Sequence, residues 1–335
     1  MRLFRHYTNL PADARGSIVA IGNFDGVHRG HQAVIGEAVR RAKVAGAPSG
    51  VLTFEPHPRR FFRPDTPPFL LTRLRTKARV IRDLGADLLF VFRFNAAMAN
   101  LSAEDFIDNV LVRGLGVRQV VIGYDFVFGK GRRGNPELLR DRLAAHAIET
   151  TIMPPVGAAE PGADSEGDIY SSTGVRDALR AGDPAAAARL LGRPFEIEGH
   201  VHRGDMRGRQ LGFPTANIWL GDYLRPAFGV YAVRVRFEDM GAIVERKGVA
   251  NLGMRPTFGG VEPRLEVHLF DYDGDLYGRR LCVELIAFLR PERKFDSLDA
   301  LKQQIAADAA AARSALSART PRARFTSDSD PPGLP

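Results

Sequence analysis

Two histidines three residues apart, His28 and His31, stand in the stretch IGNFDGVHRGHQ together with three glycines, an Asn and an Asp. An apolar block, SIVAIGNF, runs into this stretch, and Val34, Ile35, Ala38, Val39 and Ala42 follow at helical spacing. The histidines therefore fall where a strand turns into a helix. Free backbone N–H groups and the helix dipole favour an anion at such a junction, glycines admit a phosphate close to the backbone, and imidazoles add donors. Half of a metal site is the competing chemistry for H-x-x-H, but no Cys or second His pair follows at ligand spacing. Surface histidines with no joint role are the third reading of such a pair.

Three more segments fit the same site. TFEPHPRRFF follows the second strand, where the carboxyl end of a parallel strand borders a ligand crevice. VIGYDFVFGKGRRGN leaves a later strand into a Gly- and Arg-rich loop suited to a polyphosphate. SSTGVRDAL places Ser171, Ser172, Thr173 and Arg176 at a helix start, a further anion pocket. A different phosphate chemistry is written into HRGDMRGRQLGFPTANI, where a loop from His202 to Gly212 carrying Gly204, Gly208 and Arg209 leads into Thr215 and Asn217. A Thr hydroxyl and an Asn carbonyl two residues apart on a strand can hold Mg²⁺ beside nucleotide phosphates. About fifty residues later, Glu266 in RLEVHLFDYDGDLYG supplies a carboxylate that can take a proton from a hydroxyl nucleophile.

These residues need elements to hold them. Strand, helix and strand alternate from residue 17 to about 150, which predicts a parallel sheet with covered faces. After a Gly, Pro and Ala-rich patch (154–167) and one further helix, the pattern changes to short alternating stretches: FEIEGHVHRG, FPTANIWL, GVYAVRVRFED, RKGVANLG, RLEVHLFDYDG and RLCVELIAFLR. Such stretches predict a small antiparallel barrel. A Ser-capped amphipathic helix, SLDALKQQIAADAAAARSAL, is expected to cover an open face of it. The expected domains are 1–186 and 187–314, with 315–335 a disordered polar tail. The chain of 335 residues, 44% apolar and 26% charged, has the composition of a soluble globular protein and no apolar run of membrane-spanning length. The net charge of +8 is spread along the chain, so neither nucleic acid nor membrane is an expected partner. A single cysteine excludes an intramolecular disulfide and suits the cytoplasm.

His28-Arg29-Gly30-His31 resembles the H-x-G-H signature of the nucleotidylyltransferases. GFPTAN, GVYAV, GVANLGMRPTF, LEVHLFDYDGDLYG and FLRPERKFDSLDALKQQI resemble the riboflavin kinase domain. With both halves in this order, the chain is similar to the bacterial bifunctional riboflavin kinase/FMN adenylyltransferases, the prokaryotic FAD synthetases, from about residue 17 to 313. The resemblance implies a nucleotidylyltransferase-type (Rossmann-like) α/β domain followed by a riboflavin kinase β-barrel with a C-terminal helix. It implies that riboflavin and ATP give FMN in the barrel, and that FMN and ATP give FAD and pyrophosphate in the first domain, with Mg²⁺. By the same resemblance His28 and His31 hold the triphosphate, with Gly30 between them and Gly22, Asn23 and Asp25 shaping the floor. Phe54, His57, Pro58 and Phe62 border the flavin, Asp125 lies near the nucleotide, and Arg176 grips phosphates. Thr215 and Asn217 organise Mg²⁺ and ATP, the loop from Arg203 to Gly212 closes over the nucleotide, and Glu266 is the general base. Gly174 stands where relatives often carry a larger, basic side chain, and His202 has no assigned role. Three rivals stay open: an adenylyltransferase whose barrel only binds flavin, an adenylyltransferase for another acceptor, and a nonenzymatic nucleic-acid binder. Self-association is also left open.

Overall fold

The computed structural model describes residues 1–157, 169–203, 212–257 and 260–317, apart from the side chains of 255–257, 260 and 261. By packing, these residues form two compact units: Met1–Thr66 with Leu74–Ser171, and Pro67–Arg73 with the chain from Ser172 onward.

The first unit contains, in order, β1 (Arg2–Phe4), β2 (Ile18–Ile21), α1 (Arg29–Ala45), β3 (Ser49–Glu55), α2 (Pro58–Phe62), α3 (Leu74–Asp83), β4 (Leu88–Arg93) and α4 (Ala96–Asn100). It continues with α5 (Ala103–Asp105), which runs on as a π-helix (Phe106–Leu115), then β5 (Gln119–Gly123), α6 (Pro136–Ala144) and β6 (Glu149–Met153). The strands pair in parallel in the order β1-β4-β3-β2-β5-β6. Both faces of this sheet are covered, so its strands are apolar without alternation. On one face Val34, Ile35, Ala38 and Ala42 of α1 and Ala78 and Ile81 of α3 meet Ile18, Ala20 and Val51. On the other, Phe106, Ile107, Val110, Leu111 and Leu139 meet Val19, Ile21 and Leu52. Strand β2 is shorter than its apolar run suggests: it stops at Ile21, and positive φ angles at Phe24 (48°), Gly26 (86°) and Val27 (43°) then keep the backbone out of extended geometry.

The second unit contains α7 (Ser172–Arg180), α8 (Pro184–Leu191), β7 (Phe195–His202), β8 (Ala216–Trp219), β9 (Gly229–Asp239), β10 (Ala242–Thr257), β11 (Gly260–Leu269), β12 (Arg280–Pro291) and α9 (Leu298–Ala315). Its strands form a closed antiparallel barrel in the order β10-β11-β8-β7-β12-β9. Val201, Ala216, Ile218, Tyr231, Ala250, Leu252, Leu265 and Val267 fill the interior, and Val175, Leu179, Ala187 and Leu191 of α7 and α8 pack with them. The apolar faces of these two helices thus belong to the barrel core, and the units divide at Ser172, ahead of the sequence-based boundary at residue 186. The barrel has no open face for α9 to cover. Instead Ala312 and Leu316 lie on the outer wall against Val230, Ala232, Val249 and Phe270. Ser297 caps that helix as its spacing predicts, accepting from the N–H of Ala300 at 3.1 Å. The tail expected to be disordered lies outside the described residues from 318 on.

Candidate active sites

The loop between β2 and α1 ends at His28, the N-cap of α1, whose ring Nδ1 accepts from the backbone N–H of His31 at 3.4 Å. An accepting Nδ1 leaves the ring proton of a neutral imidazole on Nε2, a donor for an incoming oxygen. The rings of His28 and His31 stack with centroids 3.6 Å apart, and Phe24 stands edge-on to His31 at 5.3 Å. His28 and Asp25 are buried. The loop is held from both sides, since the hydroxyl of Thr53 donates to the carbonyl of Asn23 at 3.1 Å and Gln32 Nε2 donates to the carbonyl of Val27 at 2.8 Å. Two glycines serve close approach. A Cβ on Gly30 would meet the carbonyl oxygen of Tyr170 at 3.1 Å and the His28 ring at 3.2 Å, and a Cβ on Gly22 would meet the Phe24 ring at 3.0 Å. The α1 terminus therefore brings a helix dipole and paired imidazoles to one place.

At the carboxyl end of the adjacent strand β3 the same device recurs. His57 caps α2 through Nδ1, accepting from Arg59 N–H at 3.1 Å, with Pro58 in the first turn. Phe54 is buried while Phe62 is 63% exposed, a surface suited to receiving a planar ring. Two residues that the sequence reading passed over, Phe61 and Phe94, join them: Phe94 is 5.9 Å from Phe54, 5.5 Å from Phe61 and 5.6 Å from Phe62. The signal for Phe94 was its place just after a strand parallel to β3. Asp125 is exposed just beyond β5, the other neighbour of β2, with Oδ1 3.2 Å from where a Cβ on Gly123 would sit.

Ser172, Thr173 and Arg176 open α7 in the second unit, and Ser171 ends the first. Arg176 is buried, donates from Nε to the carbonyl of Phe69 at 3.0 Å and lies over the Phe69 ring. Its guanidinium is thus engaged within its own unit, a use the sequence reading did not foresee. Gly204, Gly208 and Arg209 lie outside the described residues, and Gly212 is a turn with φ 84°.

On the barrel, register does the assembling. Glu266 of β11 is directly opposite Asn217 of β8 on one side and Asn251 of β10 on the other, while Asn217 is opposite His202 and Asn251 opposite Val230. Directly opposed residues of antiparallel strands share a face, with Cβ atoms roughly 5 Å apart. Because Val201, Ile218, Leu265 and Leu252 point inward, this whole row points outward. The site therefore lies on the outer wall, beside the patch that α9 covers. Asn217 is buried, accepts from Arg264 Nη1 at 3.4 Å and donates to the carbonyl of Thr215, just before the strand, at 3.5 Å. Arg264, two residues from Glu266 on the same face, stacks over Trp219 at 4.3 Å. His268 reaches the carbonyl of Pro214 at 2.9 Å. Asn251, Arg264 and Trp219 were missed by sequence reasoning, although the alternation in RLEVHL was a signal for Arg264.

A family model for FAD synthetase matches residues 10–166 and one for riboflavin kinase matches 191–316. The bifunctional riboflavin kinase/FMN adenylyltransferase of Pseudomonas fluorescens is 45% identical over 93% of this chain and 97% of its own. The chain belongs to the bifunctional riboflavin kinase/FMN adenylyltransferase family. Members so named from Escherichia coli K12 and Bacillus subtilis are 42% and 40% identical, over 93% and 87% of this chain and 97% and 90% of theirs. The crystal structure of a macrolide-efflux protein from Streptococcus pneumoniae is similar over 93% of this chain and 98% of its own, with a TM-score of 0.79 and 31% identity. Among the described residues of this family member no helix is long and apolar enough to cross a membrane. No group of three or more His, Cys, Asp or Glu among them is arranged to hold a metal, which leaves H-x-x-H without further ligands of those types.

Proposed function

We propose that His28 and His31 serve adenylyl transfer and that Thr215, Asn217 and Glu266 serve phosphoryl transfer. As a member of the bifunctional family, the chain converts riboflavin and ATP to FMN and ADP, and FMN and ATP to FAD and pyrophosphate. The observation that carries the assignment of residues is the lateral row in which Glu266 stands between Asn217 and Asn251. It supports a carboxylate that takes the proton of the ribityl 5′-hydroxyl as that oxygen attacks the terminal phosphorus of ATP.

Thr215 and Asn217 offer hard oxygens next to this carboxylate, the donor type Mg²⁺ takes, and Mg²⁺ characteristically completes its shell with phosphates and water. Asn217 would be one residue to hold the cation, and Arg264, which donates to its Oδ1 at 3.4 Å, would offer its guanidinium to a phosphate oxygen beside it. When bound, Mg²⁺ neutralises the charge that collects on the transferring phosphoryl group.

In the other unit a phosphate oxygen of FMN attacks the innermost phosphorus of ATP and pyrophosphate leaves. The Nε2–H of His28, the stacked imidazole of His31 and the α1 terminus stabilise the departing charge, and no covalent intermediate is needed. Phe54, Phe61, Phe62 and Phe94 give the flavin an apolar wall, with His57 and Pro58 at its edge. Asp25 and Asn23 form the floor, Asp125 stands near the nucleotide, Ser171, Ser172 and Thr173 are phosphate contacts, and a cytoplasmic location suits the single buried Cys282.

The test is separation of products after incubation with riboflavin, ATP and Mg²⁺. FMN and FAD together are expected. FAD from supplied FMN, with none from riboflavin, overturns the phosphoryl-transfer assignment.

A further inference from the structure

We infer that Glu292 and Asn251 form a positioning pair for the hydroxyl-bearing chain of the phosphoryl acceptor, Glu292 fixing the amide of Asn251 so that its carbonyl oxygen is presented beside Glu266. The inference rests on the phosphoryl-transfer reading above and deepens it.

Four features of the barrel carry it. Register sets Asn251 directly opposite Glu266 on the outward face, so an acceptor on Asn251 and the carboxylate of Glu266 are neighbours. The Nδ2 of Asn251 donates to Glu292 Oε1 at 3.1 Å, from a residue 41 positions away in the chain. Gly253, two residues along β10 on the same face, is what allows that approach, because a Cβ there would collide with the Glu292 carboxylate. The chain before Glu292 is itself pinned, since Arg290 makes a forked contact with Asp308 of α9 at 2.8 and 2.6 Å.

The chemistry follows from the amide. An Asn side chain has a donor end and an acceptor end, and either can be turned outward. A carboxylate accepts only, so it selects the orientation in which Nδ2 faces Glu292 and Oδ1 faces away. Two acceptors then stand side by side on neighbouring strands, Glu266 and Asn251 Oδ1. That arrangement suits two adjacent hydroxyls, one surrendering its proton to Glu266 and the next donating to Asn251. A polyol such as the ribityl chain presents this pair, whereas an acceptor with a lone hydroxyl does not.

The experiment compares kcat/KM for FMN formation from riboflavin with that for phosphorylation of 4′-deoxyriboflavin, which lacks the hydroxyl next to the reacting one. The wild-type chain is expected to favour riboflavin about tenfold, the worth of one well-placed hydrogen bond. Asn251→Ala is expected to lose about tenfold toward riboflavin and nothing toward the analogue, abolishing the preference. Glu292→Ala, at an exposed position, and Gly253→Ala, which expels Glu292, are each expected to reduce the preference, with adenylylation of supplied FMN unchanged. A preference that persists in Asn251→Ala, or that is untouched in Glu292→Ala, overturns the inference while leaving the phosphoryl-transfer reading intact. Absence of FMN formation by the wild-type chain overturns both.

Discussion

His28 and His31 reach their place because a strand ends, whereas Glu266 and Asn217 reach theirs on strands that pair with neighbours at those very residues. In the parallel sheet the candidate groups sit on a loop and a helix terminus beyond the carboxyl ends, where open α/β sheets bind ligands, because the sheet faces are buried under helices. The barrel interior is filled by side chains, which leaves the outward half of each strand for chemistry. A loop site depends on backbone turns such as that at Val27, with φ 43°. A wall site depends on register, and a slip of one residue would send Glu266 into the apolar core.

The sharpest way to separate the two is Glu266→Gln. It removes a proton acceptor and keeps the shape, so FMN formation is expected to fall about 10²- to 10⁴-fold while FAD formation from supplied FMN persists, both read by product chromatography. Equal loss of both would end the partition. In the loop site His28→Ala is expected to lower FAD formation about 10²- to 10³-fold, as loss of an oxyanion donor does. His28→Asn restores the N-cap acceptor without the ring, so recovery of thermal stability without recovery of rate would distinguish capping from chemistry.

The barrel also predicts a pH dependence. Glu284 is buried on the wall with Arg236 at 3.4 Å, and desolvation pushes its carboxyl up to about 7 from an ordinary 4.5, aided by Glu196 and Glu245 and opposed by Arg236 and Arg234. The native state thus holds a proton that the unfolded chain releases between those values, so stability is lost as pH rises from 4.5 through 7. Glu284→Gln is expected to flatten that decline and to exceed the wild type above pH 7 by about 3 kcal/mol at most, by denaturant unfolding at a series of pH values. A decline of equal slope in the variant would assign it to other groups. The smallest effect is expected from Asp308→Ala, which unpins Arg290 and costs about 2 kcal/mol. After graded heating, FMN formation should fail before FAD formation; failure in the reverse order would contradict the separate footing of the two units.

Which elements exist was largely legible. The helical spacing of Val34, Ile35, Ala38 and Ala42 matches the buried stripe of α1, and Ser297 caps the helix it precedes. Less visible were α8 and the short strands β1 and β6, whose few residues carry too little periodicity to stand out. The strand expected to reach Phe24 stops at Ile21, since an apolar run does not reveal positive φ in Phe24 and Val27. Asn251, Arg264 and Phe94, set beside the named candidates by strand pairing, were not read from the sequence, and neither were Phe61 and Trp219, which stand inside the quoted motifs.

By itself the sequence determined the α/β and barrel halves, their order, and the motifs that name the candidate residues, because periodicity, caps and motif spacing are properties of a few consecutive residues. Only the tertiary structure decided that Arg176 Nε donates to the carbonyl of Phe69, that α7 and α8 pack into the barrel core, and that Glu266 stands between two asparagines on an outer wall. The reason is that register and packing join residues dozens of positions apart, and which pairs meet is fixed by the burial of the opposite faces of their strands.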